Sequence, residues 1–383
     1  MLTPTVYQGA LILRSGTHSS GGASAVAGPI VAARRHLRPA ARRSGPRIAA
    51  LAVSDSQETL SQRQVLDRLG LAGDEFAERI FERSGVRRRH LELSEEFLDL
   101  SLQGRGAWIE DDLMRHSIRA VDALEIDPAQ VGTVLSATLY SLGGPTLAHR
   151  LVDHFRMGAA TDKYHVNGVG CASGVPLMRL AAQALQAEPE RDALVVTAEC
   201  MSGLLTRAGA EDPRAKTIGA AIFGDGCAAA LLSAHPRAEG PAILASQVHQ
   251  VPGTLDAVSL RYSQEDTYLH LARELPDLAG AGLAEIVDRF LRRNHLSRAA
   301  IDHWMLHPGG RRIVENMQSA LALSDEDAAL SWSALAEHGN VGTPSIFYVL
   351  KDTIEARAPQ AGEHGLMVTI GPGVTIGMML LGW

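Results

Sequence analysis

From Pro46 to the C-terminus, short apolar runs alternate with longer segments whose apolar positions repeat at helical spacing. The short runs are rich in β-branched residues, which predicts strands. The predicted strands are 48–54, 131–140, 193–199, 227–234, 242–251, 303–307, 365–371 and 374–382. Alternating strands and helices are typical of an α/β fold, and near-continuous apolar runs indicate central strands that are covered on both faces.

The same order of elements occurs twice along the chain. A helix end leads into a strand at 127–140 and again at 297–307, and each time a glycine turn, an apolar helix and two further strands follow. This weak internal duplication predicts two similar α/β lobes, 46–240 and 241–383, that pack together. Their boundary is predicted near residue 240, in the Pro- and Gly-containing stretch HPRAEGPA.

Residues 1–45 differ from the rest of the chain. No Asp or Glu precedes Asp55, whereas arginines accumulate among Ser, Gly and Ala. This pattern is found in organellar targeting segments, in disordered leaders and upstream of a true start codon in an Ala- and Arg-rich genome. The leader is the favoured interpretation, and residues 1–45 take no part in the fold prediction.

Composition and charge exclude several classes of protein. The formal net charge of −7 and the aromatic content of 4% are unlike those of nucleic-acid-binding proteins, which present basic faces or stacking platforms. No apolar run reaches the length of about 20 residues that spans a bilayer. Three cysteines at irregular spacing predict neither a disulfide framework nor a zinc site, and they favour a reducing, cytoplasmic setting.

Cys171 is the first candidate for chemistry. It stands in VNGVGCASGVPLMRLA (166–181), after an extended stretch and before an apolar segment at helical spacing. The unpaired N–H groups and the dipole of a helix N-terminus stabilise a thiolate, which predicts a depressed pKa and a nucleophile. The alternative is an inert core residue, because unpaired cysteines are usually buried. Cys200 and Cys227 precede no clear helix and are predicted to be structural.

Two partners for this cysteine are available in the second lobe. His307 ends a predicted strand in LHPGGRRI, and Asn340 lies in a glycine-flanked turn in EHGNVGTPSI. In a duplicated fold the ends of equivalent elements lie close together, so we expect both side chains near Cys171. Each signal alone is also compatible with a structural histidine or an ordinary turn. His303 and His307 have the spacing of a helical metal-binding pair, but they lie on a strand without other ligands, so no metal site is predicted.

Several further motifs accompany this trio. They are ERSGVRRRHLELSEEFL (82–98), IGAAIFGDGCAAALL (218–232), HPGGRRI (307–313), AEHGNVGTPSIFYVL (336–350) and IGPGVTIG (370–377). Over residues 46–383 the chain resembles the type III polyketide synthases, the chalcone and stilbene synthase family. The resemblance implies the five-layered αβαβα thiolase fold with duplicated lobes. It also implies a homodimer that forms through the sheet edge and the segment before the nucleophile.

The resemblance implies a role for each member of the trio. Cys171 takes the starter acyl group from an acyl-CoA as a thioester. His307 activates the sulfur and then, with Asn340, donates hydrogen bonds to the malonyl-CoA thioester oxygen, where charge develops as carbon dioxide leaves. The enolate attacks the loaded acyl group, which becomes two carbons longer and ends as a pyrone, resorcinol or related polyketide. No metal or redox cofactor is needed.

The resemblance also assigns residues that bind coenzyme A and line the substrate cavity. Among the arginines at 83 and 87–89, Arg83 and Arg87 are expected to hold coenzyme A phosphates, together with Gly309 and Gly310. The alternative is an ordinary solvated surface. The cavity is expected to contain Leu142 from the partner subunit, Leu205 or Thr206, Leu269, and the loop Thr369, Ile370, Gly371, Pro372 and Gly373.

Departures from the family pattern bear on the substrate. The family's Gly-Phe-Gly-Pro-Gly loop lacks its first glycine and its phenylalanine here, and two gating phenylalanines are replaced near 205–206 and at 269. Smaller side chains at these positions predict a bulkier or aliphatic starter. Two alternatives remain open: a ketoacyl synthase III-like enzyme that performs one condensation or another acyl transfer, with an acyl-carrier protein as a partner, and a non-catalytic paralogue.

Overall fold

The computed structural model describes residues 45–55, 58–139, 143–205, 213–262 and 267–383. Its strands are β1 (Arg47–Asp55), β2 (Thr59–Ser61), β3 (Arg88–His90), β4 (Val131–Thr138), β5 (Asp162–Asn167), β6 (Asp192–Glu199), β7 (Gly226–Ser233), β8 (Ala242–Gln250), β9 (Val258–Tyr262), β10 (Thr267–Leu271), β11 (His303–Leu306), β12 (His364–Gly371) and β13 (Thr375–Gly382). Every strand predicted from the apolar pattern is confirmed. The short pairs β2–β3 and β9–β10 escaped prediction because they lie outside the main sheet and are too short or too polar to show a pattern.

The helices lie between these strands. They are α1 (Gln62–Arg68), α2 (Glu75–Arg83), α3 (Glu95–Leu98), α4 (Leu102–Asp122), α5 (Leu147–His154), α6 (Gly174–Ala187), α7 (Pro213–Ile222), α8 (Leu275–Gly280), α9 (Leu283–Arg293), α10 (Arg311–Leu321), α11 (Asp325–His338) and α12 (Ser345–Arg357). Several helices begin after a residue whose side chain accepts a hydrogen bond from the first turn. Asp74, for example, accepts hydrogen bonds from the first backbone N–H groups of α2. No helix in the described part of the chain is both long and apolar enough to cross a bilayer.

The main sheet has nine strands in the order β11-β12-β13-β8-β1-β7-β6-β4-β5. Strands from residues 242–382 form one half and strands from residues 47–233 form the other, and the halves meet at a single register pair between β1 and β8. The predicted lobe boundary near residue 240 falls between β7 and β8. Residues 1–44 lie outside the described part, so the leader stays a prediction.

Helices and half-sheets alternate in five layers, and three apolar cores lie between them. The outer face of the first half-sheet packs against α4 and α5, and that of the second half-sheet packs against α9 and α10. The third core lies between the two half-sheets and is filled by α6 and α12. The apolar sequence of α6 predicts a buried helix. Most of its apolar side chains are buried in this middle core, whereas Leu180 is 44% exposed. The five layers are the αβαβα arrangement of the thiolase fold.

Candidate active site

A tight turn places Cys171 between β5 and α6. Gly168 and Gly170 have positive φ angles of 77° and 62°, which favour glycine, and a 3-10 turn at Gly170–Ala172 then leads into the helix. A Cβ atom on Gly170 would lie only 3.0 Å from Pro372. The glycines beside the cysteine are therefore needed both for the turn and for the close packing of the 370–372 loop against it.

The other two members of the trio come from the second half of the chain. His307 follows β11 directly, and its backbone N–H donates to Val368 O over 2.9 Å. Asn340 follows α11, and its backbone N–H donates to Ile222 O over 2.7 Å. Cys171 Sγ donates to Asn340 Oδ1 over 3.8 Å, and all three side chains line one cavity. The convergence expected from the sequence is present in the structure.

The cavity that contains this trio is large and mainly apolar. Its volume is about 1010 Å³, at the upper end of the usual range for ligand pockets. Its apolar wall includes Phe76, Ile80, Leu139, Ile218, Val258 and Leu275. Such a space can enclose a long or bulky acyl group away from water while a few polar atoms at one end carry the chemistry.

Burial dominates the protonation states of Cys171 and His307. Loss of solvent, with a smaller contribution from the nearby Glu199 carboxylate, raises the pKa of Cys171 to about 12. The same loss of solvent lowers the pKa of His307 to about 4. Burial therefore favours a thiol and a neutral imidazole in the resting pair, opposite to the depressed cysteine pKa expected from the sequence. The helix begins at Gly174, so its N-terminus is too remote to outweigh desolvation.

Sequence reasoning missed Glu199, a buried carboxylate that holds the loops around the cysteine. It accepts hydrogen bonds from the backbone N–H of Leu139 over 2.8 Å and from Thr343 Oγ1 over 2.8 Å. Thr343 Oγ1 also lies 2.9 Å from Gly170 O. Burial raises the pKa of Glu199 to about 7, although these hydrogen bonds oppose the shift. Glu199 closes a strand in TAEC, a position whose sequence carries no sign of this role.

The structure separates the predicted coenzyme A residues into two groups. Arg83, Gly309 and Gly310 line the cavity. Arg87 does not: its guanidinium pairs with Glu337 at the end of α11, and its assignment to coenzyme A stays a prediction. Its position four residues beyond the end of α2 turns it toward α11 instead of toward the cavity mouth.

Four further arginines, which were not predicted, line the same cavity. They are Arg214, Arg273, Arg311 and Arg312. Arg311 and Arg312 follow the HPGG motif directly, so that motif already contained a signal for them. Arg214 and Arg273 come from α7 and from the segment after β10, and nothing in their local sequence indicates this position. With Arg83, five arginines line the cavity, and guanidinium groups suit phosphate ligands. Two of them also pair with carboxylates, Arg311 with Glu315 and Arg312 with Asp277.

The predicted cavity residues are partly confirmed as lining residues. Leu269 and residues 370–372 line the cavity. Gly371 touches the nucleophile turn so closely that a Cβ atom there would lie 2.5 Å from Ala172 N. Leu142 and Thr206 lie outside the described residues, so their assignments remain predictions.

Three other residues assigned to the cavity wall do not line the cavity in this structure. Leu205 is buried in the core formed with α1 and α2. Thr369 points to the other side of β12, where its hydroxyl donates to Gly377 O over 3.4 Å. Gly373 has a φ of +66° and faces Gln250. Strand alternation explains Thr369, because the adjacent Ile370 takes the side that faces the cavity.

A five-layered α/β fold whose central cysteine, histidine and asparagine share one apolar cavity defines a condensing acyltransferase of the thiolase fold. Comparison with known proteins identifies the family within this class to which the chain belongs. Residues 48–293 match the FAE1/type III polyketide synthase-like protein family, and residues 242–382 match the C-terminal domain of chalcone and stilbene synthases. The chain belongs to the type III polyketide synthase family.

Individual relatives agree with this assignment. The chain is 31% identical over 270 residues to the alpha-pyrone synthesis polyketide synthase-like Pks18 of Mycobacterium tuberculosis, covering 69% of this chain and 68% of the relative. It is 28% identical over 360 residues to 3,5-dihydroxyphenylacetyl-CoA synthase of Streptomyces toyocaensis, covering 88% and 90%. The crystal structure of PKS-I from the brown alga Ectocarpus siliculosus superposes with a TM-score of 0.80 at 25% identity, covering 88% and 98%.

These relationships settle the class of reaction. The chain is a polyketide synthase, an acyltransferase that catalyses decarboxylative condensation. The ketoacyl synthase III-like alternative is not favoured, and neither is a non-catalytic paralogue.

Proposed function

We propose that Cys171 is the nucleophile of this synthase and that it is activated by proton transfer when substrate arrives. The Cys171 thiol passes its proton to His307, and the sulfur attacks the carbonyl carbon of the acyl-CoA starter. The C–S bond to coenzyme A breaks, and the departing thiolate takes the proton from His307. The observation that carries this proposal is the single apolar cavity that contains Cys171, His307 and Asn340.

Extension then uses His307 and Asn340 as hydrogen-bond donors. When malonyl-CoA loses carbon dioxide, the electrons of the broken C–C bond form an enolate whose oxygen accepts from both side chains. Asn340 Nδ2 donates to Gly309 O over a long 3.3 Å contact, and its second hydrogen remains to donate to the thioester. The enolate carbon attacks the acyl thioester, the C–S bond to Cys171 breaks, and the thiol is restored by a proton.

Acyl loading tests this proposal directly. Purified protein incubated with an acyl-CoA is expected to gain one acyl mass on Cys171, and Cys171→Ala is expected to gain none. Cys227→Ala is the matched control, because Cys227 is a buried free cysteine outside the cavity wall. An acyl group found on Cys227, or equal loading of Cys171→Ala, contradicts the assignment.

We propose an aliphatic or bulky acyl-CoA as the starter, and a pyrone, resorcinol or related polyketide as the product. The volume and apolar wall of the cavity support this choice, as does the presence of leucine at position 269. Leu269→Phe is expected to reduce kcat/KM for long aliphatic starters about 10-fold or more and to affect short aromatic starters less. Equal turnover of both starter classes by the wild type is the outcome against the proposal. The arginines at the mouth bind the phosphates of coenzyme A in this proposal.

A homodimer through β5 is also part of the proposal. This strand directly precedes the nucleophile turn and lies at the edge of the main sheet, with Tyr164 51% exposed. Tyr164→Lys is expected to shift the protein from dimer to monomer in light scattering, whereas Leu244→Lys, a change at another exposed apolar residue, leaves the dimer intact. A monomeric wild type, or a dimer that Tyr164→Lys leaves unchanged, counts against this interface.

A further inference from the structure

Two histidines and a carboxylate form a cluster that takes no part in the proposed reaction. Asp55 ends β1, His90 ends β3 and His338 ends α11, and one ligand atom from each lies within 4.8 Å of the others. We propose that Asp55, His90 and His338 bind a divalent transition-metal ion of the Zn²⁺ type. This site is separate from the active-site cavity, whose lining includes none of the three residues.

The distances suit a metal ion. His90 Nε2 lies 3.5 Å from Asp55 Oδ2, and His338 Nδ1 lies 3.4 Å from Asp55 Oδ1. Ligands bound tetrahedrally to zinc at about 2.0–2.2 Å lie about 3.4 Å from one another. Each imidazole nitrogen therefore already lies near this distance from one oxygen of Asp55, although the two nitrogens face different oxygens, and one ligand atom from each residue lies within 4.8 Å of the others.

Outer contacts orient two of the ligands. His90 Nδ1 lies 3.2 Å from Thr59 Oγ1, so a proton on Nδ1 that donates to Thr59 leaves the lone pair of Nε2 directed at Asp55. Tyr348 donates to Asp55 Oδ1 over 2.7 Å and holds the carboxylate in place. Hydrogen bonds of this kind, to the second nitrogen of an imidazole and to a ligand carboxylate, accompany most protein metal sites.

His338 supplies an independent indication. Its Nδ1 atom is buried and makes no hydrogen bond among the described residues, although it faces Asp55. Its ring packs edge-on against Tyr348 with centroids 4.8 Å apart, which restricts its rotation.

Access and ligand type agree with a transition metal. The side chains of Asp55, His90 and His338 are 24%, 16% and 25% exposed, so an ion can enter from solvent and water can complete its coordination. Imidazole nitrogens select zinc-like metals over magnesium or calcium, which prefer oxygen. A second cluster, Asp112, Cys200 and Asp225, is fully buried and offers no such entry.

The position of the cluster suggests a consequence for the fold. A bound ion joins β1, β3 and the C-terminal end of α11, three elements that are distant in sequence. His338 lies two residues before Asn340, so the ion also anchors the chain that leads into the active site. Because metal bound to the native state alone stabilises it, zinc is expected to raise the melting temperature.

Zinc titration of the chelator-stripped full chain tests the proposal. Calorimetry and elemental analysis are expected to give one zinc per chain, and Asp55→Asn and His338→Asn are each expected to abolish that binding. Thr59→Val, which removes an outer hydrogen bond, is expected to weaken it about 10- to 100-fold. His303→Asn is the matched control, because His303 also pairs with a carboxylate, Glu363, yet lies outside the cluster.

The result that overturns the proposal is a wild type that takes up no stoichiometric zinc, or one whose binding survives both Asp55→Asn and His338→Asn. Circular dichroism checks that the variants are folded, and His90→Gln serves as a third variant if either of them is not. Cobalt binding to the wild type gives an answer that needs no variant. Visible d–d bands without a thiolate charge-transfer band fit histidine and carboxylate ligands, whereas a thiolate band assigns the metal to a cysteine and refutes the proposal.

Discussion

At the scale of single residues, the chemistry of this enzyme depends on how burial controls charge. Cys171 is partly exposed, but the surface it keeps faces the cavity and not bulk water. Desolvation disfavours the thiolate, and the neighbouring Glu199 carboxylate disfavours it further, so the thiol is the stable form. His307 meets the same surroundings and stays neutral. This resting state is the reason for proposing that activation coincides with substrate binding.

The pH dependence of alkylation tests this resting state. Because the pKa of Cys171 is raised to about 12, its thiolate fraction grows tenfold per pH unit across the neutral and mildly alkaline range. The rate of iodoacetamide modification at Cys171, followed by peptide mass spectrometry, is expected to be low at pH 7 and to rise steadily to pH 10. An unstructured model peptide whose cysteine has an ordinary pKa of about 8.5 should level off within that range. A fast rate that is independent of pH would indicate a preformed thiolate–imidazolium pair.

At the scale of secondary-structure elements, the site depends on glycines where backbones meet. The end of β12 passes so close to the nucleophile turn that a Cβ atom on Gly371 would lie 2.5 Å from Ala172 N and 2.7 Å from Ala172 Cβ. The atoms it would meet include backbone, which yields less easily than a flexible side chain. The distance between the end of β12 and the nucleophile turn therefore depends on the absence of a side chain at Gly371.

Gly371→Ala is expected to push these two elements apart. Overpacking of this kind typically costs about 1–3 kcal/mol, so a lower melting temperature and at least a 10-fold loss of kcat/KM are expected. Gly158→Ala is the matched control, because its Cβ atom would meet only Thr161 Oγ1 at 3.6 Å and its φ is not positive. Similar activity and stability in the two variants would mean that this contact relaxes without cost.

At the scale of the whole molecule, the two half-sheets share their middle layer. The helices α6 and α12 pack into one core with strands from both halves, so neither half can bury its inner face alone. Three of the four tryptophans, 304, 332 and 383, lie in the second half, and Trp108 lies in the first. This distribution lets fluorescence distinguish the halves.

Unfolding is expected to be a single cooperative transition. In Trp108→Phe, fluorescence reports only the second half whereas circular dichroism reports both, and the two urea midpoints are expected to coincide. The physical reason is the shared core, which is lost when either half opens. Separate midpoints for the two probes would show that the halves unfold independently.

Acid stability provides a second test at this scale. The pKa of His307 is about 4 in the folded protein and 6.5 when exposed, so below pH 6.5 the unfolded chain binds a proton that the folded chain excludes. Stability that is intact above pH 6.5 is therefore lost as the pH falls toward 4, by up to about 3 kcal/mol. Glu199, whose pKa is raised to about 7, acts in the opposite direction, so the comparison with His307→Gln isolates the effect. The wild type is expected to lose more melting temperature than His307→Gln between pH 7 and pH 4.5, and equal losses would contradict the prediction.

The sequence by itself determined the strands of the main sheet, the apolar helices of the middle layer and the Cys171, His307 and Asn340 trio. These features are local: apolar periodicity marks buried elements, and glycines mark the turns that carry the candidate active-site residues. The family motifs added the order of the elements and the class of reaction. Each of these patterns lies within a short segment, so it can be recognised without knowing which distant residues come together in the fold.

Only the tertiary structure decided charge, orientation and the composition of the cavity wall. The protonation of Cys171 follows from how completely other elements exclude water, which no local pattern records. Arg87 turned toward Glu337, while Arg214 and Arg273 joined the cavity mouth, because the path of the backbone directs each side chain. The Asp55, His90 and His338 cluster unites three distant segments, so it exists only in the folded chain.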